Sequence, residues 1–125
     1  MIVILDAHAL LWWLGDDPQL SDQARRTIAD PLNDVLVSAA TVWEIEIKRA
    51  LGKLDAPSGL VAALEPAGMG PLPITLADAE AAGALPPHHR DPFDRMLVAQ
   101  ARRLDAVLIS RNPIFEQYGI ARVAA

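Results

Sequence analysis

Three short apolar runs constrain this chain more than any other feature. They are Ile2–Leu5, the Val35-Leu36-Val37 segment within Asp34–Ala39, and Ala106–Ser110. A strand with one wet face alternates apolar and polar residues. A run that is apolar at every position expects cover on both faces. Each of the first two runs is followed by a helix-length segment, and a long helix precedes the third. That order predicts strands alternating with helices, which is the pattern of an α/β/α sandwich with a mainly parallel sheet.

The intervening segments fit that plan. Ala7–Leu14 carries Leu10, Leu11, Trp12, Trp13 and Leu14 and reads as a mostly buried helix, broken by Asp16-Asp17-Pro18. Ser21 is positioned to cap a helix reaching about Ala29, and Asp30-Pro31 ends it. Thr41 and Glu44 form a capping-box pattern for a helix running to about Leu51, with Trp43 and Ile45 expected inside. A further helix is expected over Ser58–Leu64. Leu72-Pro73-Ile74 predicts a weak strand, placed near an edge by its prolines. Leu76–Ala84 is alanine-rich and helical, and Pro86-Pro87-His88-His89-Arg90 is a loop. Asp91 caps the strongest helix, with Pro92 in its first turn, and that helix extends to about Leu104. Asn112-Pro113 opens a short helix ended by Gly119, and Ile120–Val123 is the last expected strand. With 125 residues and no internal repeat or linker, the expectation is a single domain, 1–125.

Composition narrows the chemistry. There is no cysteine, so disulfides, thiolate metal sites and a cysteine nucleophile are excluded. Oxygen ligands are the remaining route to a metal. No apolar run approaches the ~20 residues that cross a bilayer. The opening Met1-Ile2-Val3-Ile4-Leu5-Asp6 lacks the basic region of a secretory signal, so a cytoplasmic protein without a membrane partner is expected. The net charge of −5 argues against a protein that coats nucleic acid along its length. It leaves room for an acidic site with local basic groups beside it.

In open parallel sheets, ligands collect at the carboxyl ends of the strands. Asp6 ends the first strand, Ser38 the second and Ser110 a later one, with Asn112 just beyond. Glu44 lies about a turn past Ser38, and Asp91 and Asp94 occupy the first turn of the long helix. Each acid also has a purely structural role open to it. Asp6 can cap the helix at Ala7 and Asp91 the helix at Pro92. Glu44 can pair with Lys48 at i,i+4 for ~0.2–0.5 kcal/mol, and Asp94 suits the helix dipole. The adjacent His88 and His89 diverge on most backbones and are expected to be exposed. Trp12 and Trp13 are expected to pack in the core or a dimer. Arg90, Arg95 and Arg111 flank the acids in sequence, and Lys48, Arg49 and Lys53 form a second basic group. A phosphoacceptor receiver domain would share the length and build. It would want an acidic pair after strand one, an Asp after a middle strand and a late lysine. Asp6 is alone, Ser38 ends the next strand, and no lysine follows Lys53.

Four segments together resemble the motifs of VapC-type PIN domains, in the family's order and over nearly the whole chain. They are Ile4-Leu5-Asp6-Ala7-His8-Ala9-Leu10-Leu11-Trp12, Ser38-Ala39-Ala40-Thr41-Val42-Trp43-Glu44-Ile45, the stretch from His89-Arg90-Asp91-Pro92-Phe93-Asp94-Arg95 to Ala101, and Leu108-Ile109-Ser110-Arg111-Asn112-Pro113-Ile114-Phe115. The resemblance implies a Rossmann-like PIN fold and a Mg²⁺- or Mn²⁺-dependent endoribonuclease. It also implies a homodimer and inhibition by a cognate antitoxin. Asp6, Glu44 and Asp94 match the family's first three acids and become the expected catalytic set. Asp6 and Asp94 are the expected metal ligands. Ser110, Asn112, Asp91 and Arg95 are expected around them or against substrate. Asn112 stands where the family often has an acid, and Ala7 where it often has Thr or Ser. The lost charge weakens a second metal position and keeps open a degenerate PIN domain that binds RNA or a protein without cutting.

Overall fold

The computed structural model describes residues 1–125. In chain order the elements are β1 (Ile2–Leu5), α1 (Ala7–Leu14), α2 (Asp22–Ala29), β2 (Asp34–Ser38), α3 (Ala39–Ala50), α4 (Leu60–Leu64), β3 (Gly70–Leu72), α5 (Leu76–Ala84), α6 (Pro92–Leu104), β4 (Val107–Ile109), a 3₁₀ turn (Pro113–Tyr118) and β5 (Arg122–Val123). The strands form one five-stranded sheet in the order β3-β2-β1-β4-β5, parallel at every pairing. The expected α/β/α sandwich is therefore what the chain forms.

Strand β1 shows why its run lacks alternation. Val3 and Leu5 belong to one buried cluster with Leu10, Leu20, Ile28, Ile45 and Leu64. Ile4, between them, belongs to a second cluster with Leu97, Val98, Leu108, Phe115 and Tyr118. Successive side chains leave a strand on opposite faces. Every position of β1 therefore enters one core or the other, and Val3, Ile4 and Leu5 are fully buried.

Several local expectations shift. Helix α3 is capped by Ser38, whose Oγ accepts from the Ala40 N–H at 3.1 Å, and starts at Ala39, three residues before a helix capped by Thr41 would start. The buried Thr41 hydroxyl instead faces the Leu5 carbonyl at 3.4 Å. No capping box forms there, and Glu44 lies in the second turn. Ile45 is buried as expected, but Trp43 is 62% exposed because the helical turn carries it away from the sheet. The third strand is Gly70–Leu72 rather than Leu72–Ile74. It is an edge strand, where Pro71 leaves no inner ladder position without a donor. Helix α4 begins at Leu60, not Ser58.

A capping box does form at α5. Thr75 Oγ1 accepts from the Asp78 N–H at 3.0 Å, and Asp78 Oδ2 accepts from the Thr75 N–H at 3.1 Å. The same buried carboxylate takes two bonds from Arg103 of α6, at 2.6 and 3.0 Å. The Arg103 bonds hold the Asp78 carboxyl below its ordinary value, with burial opposing them. A lowered carboxylate stabilises the fold above the ordinary carboxylate range, and that contribution is lost as pH falls through the lowered value. Asp78→Asn is therefore expected to lower the melting temperature at pH 7 and to make it fall less steeply below about pH 4. A melting curve series from pH 2 to 7 that is parallel for both proteins would rule this linkage out.

Candidate functional site

The strand order places a switch point at the carboxyl ends of β1 and β4. From β1 the chain first winds through β2 to β3, then returns to the other side of β1 as β4. A crevice forms at such points. Here it is a cavity of about 330 Å³ lined by Asp6, His8, Glu44, Lys48, Asp91, Asp94, Ser110, Arg111 and Asn112, with one apolar neighbour, Ala7. The three expected acids come from segments far apart in sequence and share this cavity.

Asp6 leaves the end of β1 and caps α1, its Oδ1 accepting from the Ala9 N–H at 2.9 Å. Burial raises its carboxyl, while hydrogen bonds from Ser110 and Ala9 and the nearby His8 oppose the rise. Glu44 is buried on α3 and bonds Lys48 Nζ at 2.6 Å, the expected i,i+4 pair. That bond, first among its causes, raises the Lys48 ammonium. Asp94 lies in the first turn of α6. Burial pushes its carboxyl up to about 6. A hydrogen bond to His89 opposes the shift, and the charges of Asp91 and Glu44 add to it.

The remaining expected residues divide. Asp91 caps α6, its Oδ1 accepting from Phe93 N and Asp94 N at 2.9 and 3.0 Å, and it borders the cavity. Ser110 is fully buried, and its Oγ accepts from the Asn112 N–H at 3.1 Å. Asn112 caps the 3₁₀ turn through Oδ1, which accepts from Ile114 N at 3.0 Å. Arg95 does not line the cavity. Its guanidinium donates to the carbonyls of Ala82, Leu85, Pro86 and His89, at 2.9 to 3.1 Å. Arg111 does line it. It lies 4.3 Å over the Trp12 ring and is tied by Nη2 to the Gln19 carbonyl at 2.7 Å.

His89 is the residue that sequence reasoning missed. Its side chain is only 24% exposed, and Nε2 lies 2.7 Å from Asp94 Oδ2. The Pro86-Pro87 pair ahead of it signals a stiff loop, but no spacing rule tells which of two adjacent histidines turns inward.

No three acidic or histidine side chains gather closely enough to form a ready-made metal cage. Mg²⁺ needs only one or two direct carboxylates and keeps several waters. Asp6 and Asp94 supply hard oxygen donors, and both are desolvated carboxylates raised by burial. Such groups gain from a cation more than exposed ones do. The donor set therefore fits a single hydrated divalent ion.

A single parallel sheet covered by helices, with acids converging at its switch point, defines an α/β protein with an acidic crevice. The PIN domain family model matches residues 3–121, so this chain belongs to the PIN-domain family. Among solved structures the chain is similar to VapBC2 from Rickettsia felis bound to a promoter DNA fragment. The TM-score there is 0.72 at 14% identity, with 98% of each chain covered. It is also similar to VapBC from Salmonella typhimurium, with a TM-score of 0.68 at 18% identity, covering 98% of this chain and 97% of that one. VapBC-1 from nontypeable Haemophilus influenzae gives 0.66 at 20% identity, with 98% and 97% covered. At these identities the likeness is one of fold. No curated protein matches the chain significantly. No helix is long and apolar enough to cross a membrane.

Proposed function

We propose that this chain, acting as a single PIN domain over residues 1–125, is a divalent-metal-dependent endoribonuclease of the VapC type. In this reading it is the cytoplasmic toxin of a type II toxin–antitoxin pair and works as a homodimer. One observation carries the reading: Asp6, Glu44 and Asp94, remote in sequence, line one polar cavity at the sheet's switch point.

In this reading Asp6 and Asp94 hold Mg²⁺ or Mn²⁺, and Glu44 contributes directly or through water. The bound ion supplies polarisation of the phosphodiester and an acidified attacking water. Asn112 orients a water or ligand through its amide. Ser110, beside Asp6 in the cavity, favours the charged form of that carboxylate. Lys48 and Arg111 are the two permanent cations in the lining, and they offset the acids when a phosphate enters. An apolar groove of about 540 Å³ runs beside the site. Val42, Trp43, Val61 and Leu72 line it, and Trp43 packs edge-on against Phe93, the neighbour of Asp94. An antitoxin segment seated there would lie next to the acids, and its occlusion of them would block RNA without any change of fold.

The test is cleavage and metal linkage together. The purified chain is expected to cut single-stranded RNA with Mg²⁺ or Mn²⁺ and not with EDTA. Above pH 6 the ionised Asp94 destabilises the metal-free fold, since burial has raised it. A metal at a hundredfold excess over its Kd adds about 2.7 kcal/mol, or about 10 °C in Tm for a chain of 125 residues. No Tm shift at saturating Mn²⁺ would remove the metal site. A second reading, the degenerate domain, is favoured by Asn112, whose amide oxygen is already engaged as a cap. Metal-independent RNA binding without cleavage would select it.

A further inference from the structure

The loop residue His89 is held at four points. Its backbone N–H donates to the Tyr118 hydroxyl at 2.8 Å, and that hydroxyl donates to the Pro86 carbonyl at 3.0 Å. Its carbonyl accepts from Arg95 Nη1 at 3.1 Å. Its ring stands edge-on to Phe115, with centroids 6.3 Å apart and planes at 89°. Its Nε2 reaches Asp94 Oδ2 at 2.7 Å. Phe115 and Tyr118 are both buried, so the support comes from the core and not from a chance surface contact.

The connectivity closes on itself. Arg95 follows Asp94 on α6 and grips the last turn of α5 at Ala82 and the loop from Leu85 to His89 through their carbonyls. The gripped loop then presents His89 back to Asp94. Helix capping does not require this arrangement, because Asp91 already accepts the free N–H groups at the start of α6.

We propose that His89 is a positioning residue for Asp94: its ring N–H bonds one carboxylate oxygen and leaves the other turned to the cavity, and Tyr118 and Arg95 act through it. The proposal rests on the metal-site reading above. An aspartate carboxylate rotates broadly about its last torsion, so an unrestrained Asp94 would have to be ordered by the metal itself. A hydrogen-bond partner on a ligating group does that ordering in advance, and losing one typically costs ~10–100-fold in metal affinity. The arrangement also explains why an arginine in the third motif can lie outside the cavity and still serve it.

The experiment is Mn²⁺ affinity measured by electron paramagnetic resonance of the free ion, with Tm of each metal-free protein beside it. His89→Phe keeps the ring against Phe115 but removes the donor. His89→Gln carries an amide N–H that reaches about where Nε2 sits. His89→Phe is expected to weaken Mn²⁺ binding at least about tenfold, and His89→Gln to remain close to the wild type. Should His89→Phe fail to fold, His89→Met is the second donor-free variant. Tyr118→Phe, which loses only the hydroxyl, is expected to bind Mn²⁺ more weakly than the wild type. Unchanged affinity in the donor-free variant would overturn the proposal, and so would His89→Gln as weak as His89→Phe. Wild-type affinity in Tyr118→Phe would remove Tyr118 from it. Wild-type protein that binds no Mn²⁺ would defeat the metal reading as well. Tight wild-type binding that is indifferent to residue 89 defeats this proposal alone.

Discussion

Asp94→Asn is expected to lower metal-dependent RNA cleavage by at least about 100-fold, the scale set when a preorganised electrostatic group is removed from a reacting centre. The substitution is nearly isosteric. An asparagine at that site still has an oxygen that can accept from His89, so the loop need not move. What changes is charge. Asp94 is a desolvated carboxyl, pushed up to about 6 by burial and further burdened by Asp91 and Glu44. Neutralising it should leave the metal-free fold as stable as before, or more so, and should shrink the Mn²⁺-dependent rise in Tm. Loss of activity with retained stability separates a functional role from a structural one. A variant that cleaves at the wild-type rate in Mg²⁺ would place the chemistry elsewhere. Asp6→Asn is the paired control, since asparagine caps a helix about as well as aspartate and the α1 cap should survive.

Phe115→Ala is expected to destabilise the fold by about 3–5 kcal/mol, the cost of removing a large buried side chain and leaving a cavity. Phe115 is fully buried and packs with Ile4, Leu97, Val98 and Leu108 on the α6 face of the sheet. Domains of this size have only about 5–15 kcal/mol in total, so urea unfolding should show a midpoint far below that of the wild type. The ring also backs His89, so the residual folded protein should bind Mn²⁺ more weakly. A loss under about 1 kcal/mol, within the range of ordinary surface substitutions, would show that this cluster is not the core.

The elements with the strongest periodicity were legible in advance. β1, α1, α2 and α6 appear within about a residue of where the apolar pattern and caps predicted them, the uncertainty usual for helix ends. Short edge elements were less so. Pro71 and Pro73 argue equally for a strand centred on either, and only pairing of Val37 with Pro71 decides the register. Thr41 looked like a cap because Glu44 follows at the right offset. Ser38 took the role because the chain turns into α3 directly at the end of β2. For the site, strand-end position made Asp6, Glu44, Asp91 and Asp94 candidates, and the resemblance to the PIN-domain motifs singled out Asp6, Glu44 and Asp94. Arg95 was expected near substrate and is instead consumed by carbonyls at the end of α5 and in the loop that follows, because α6 packs against α5.

By itself the sequence determined the class: unalternating apolar strands separated by helices require a covered parallel sheet, because backbone and side chains of such strands cannot face water. It also supplied the acids and their order. Only the tertiary structure decided that those acids share one cavity, that His89 rather than His88 turns inward, and that Arg95 grips a loop. The physical reason is that strand order and loop path bring together groups many residues apart, and no local periodicity encodes that distance.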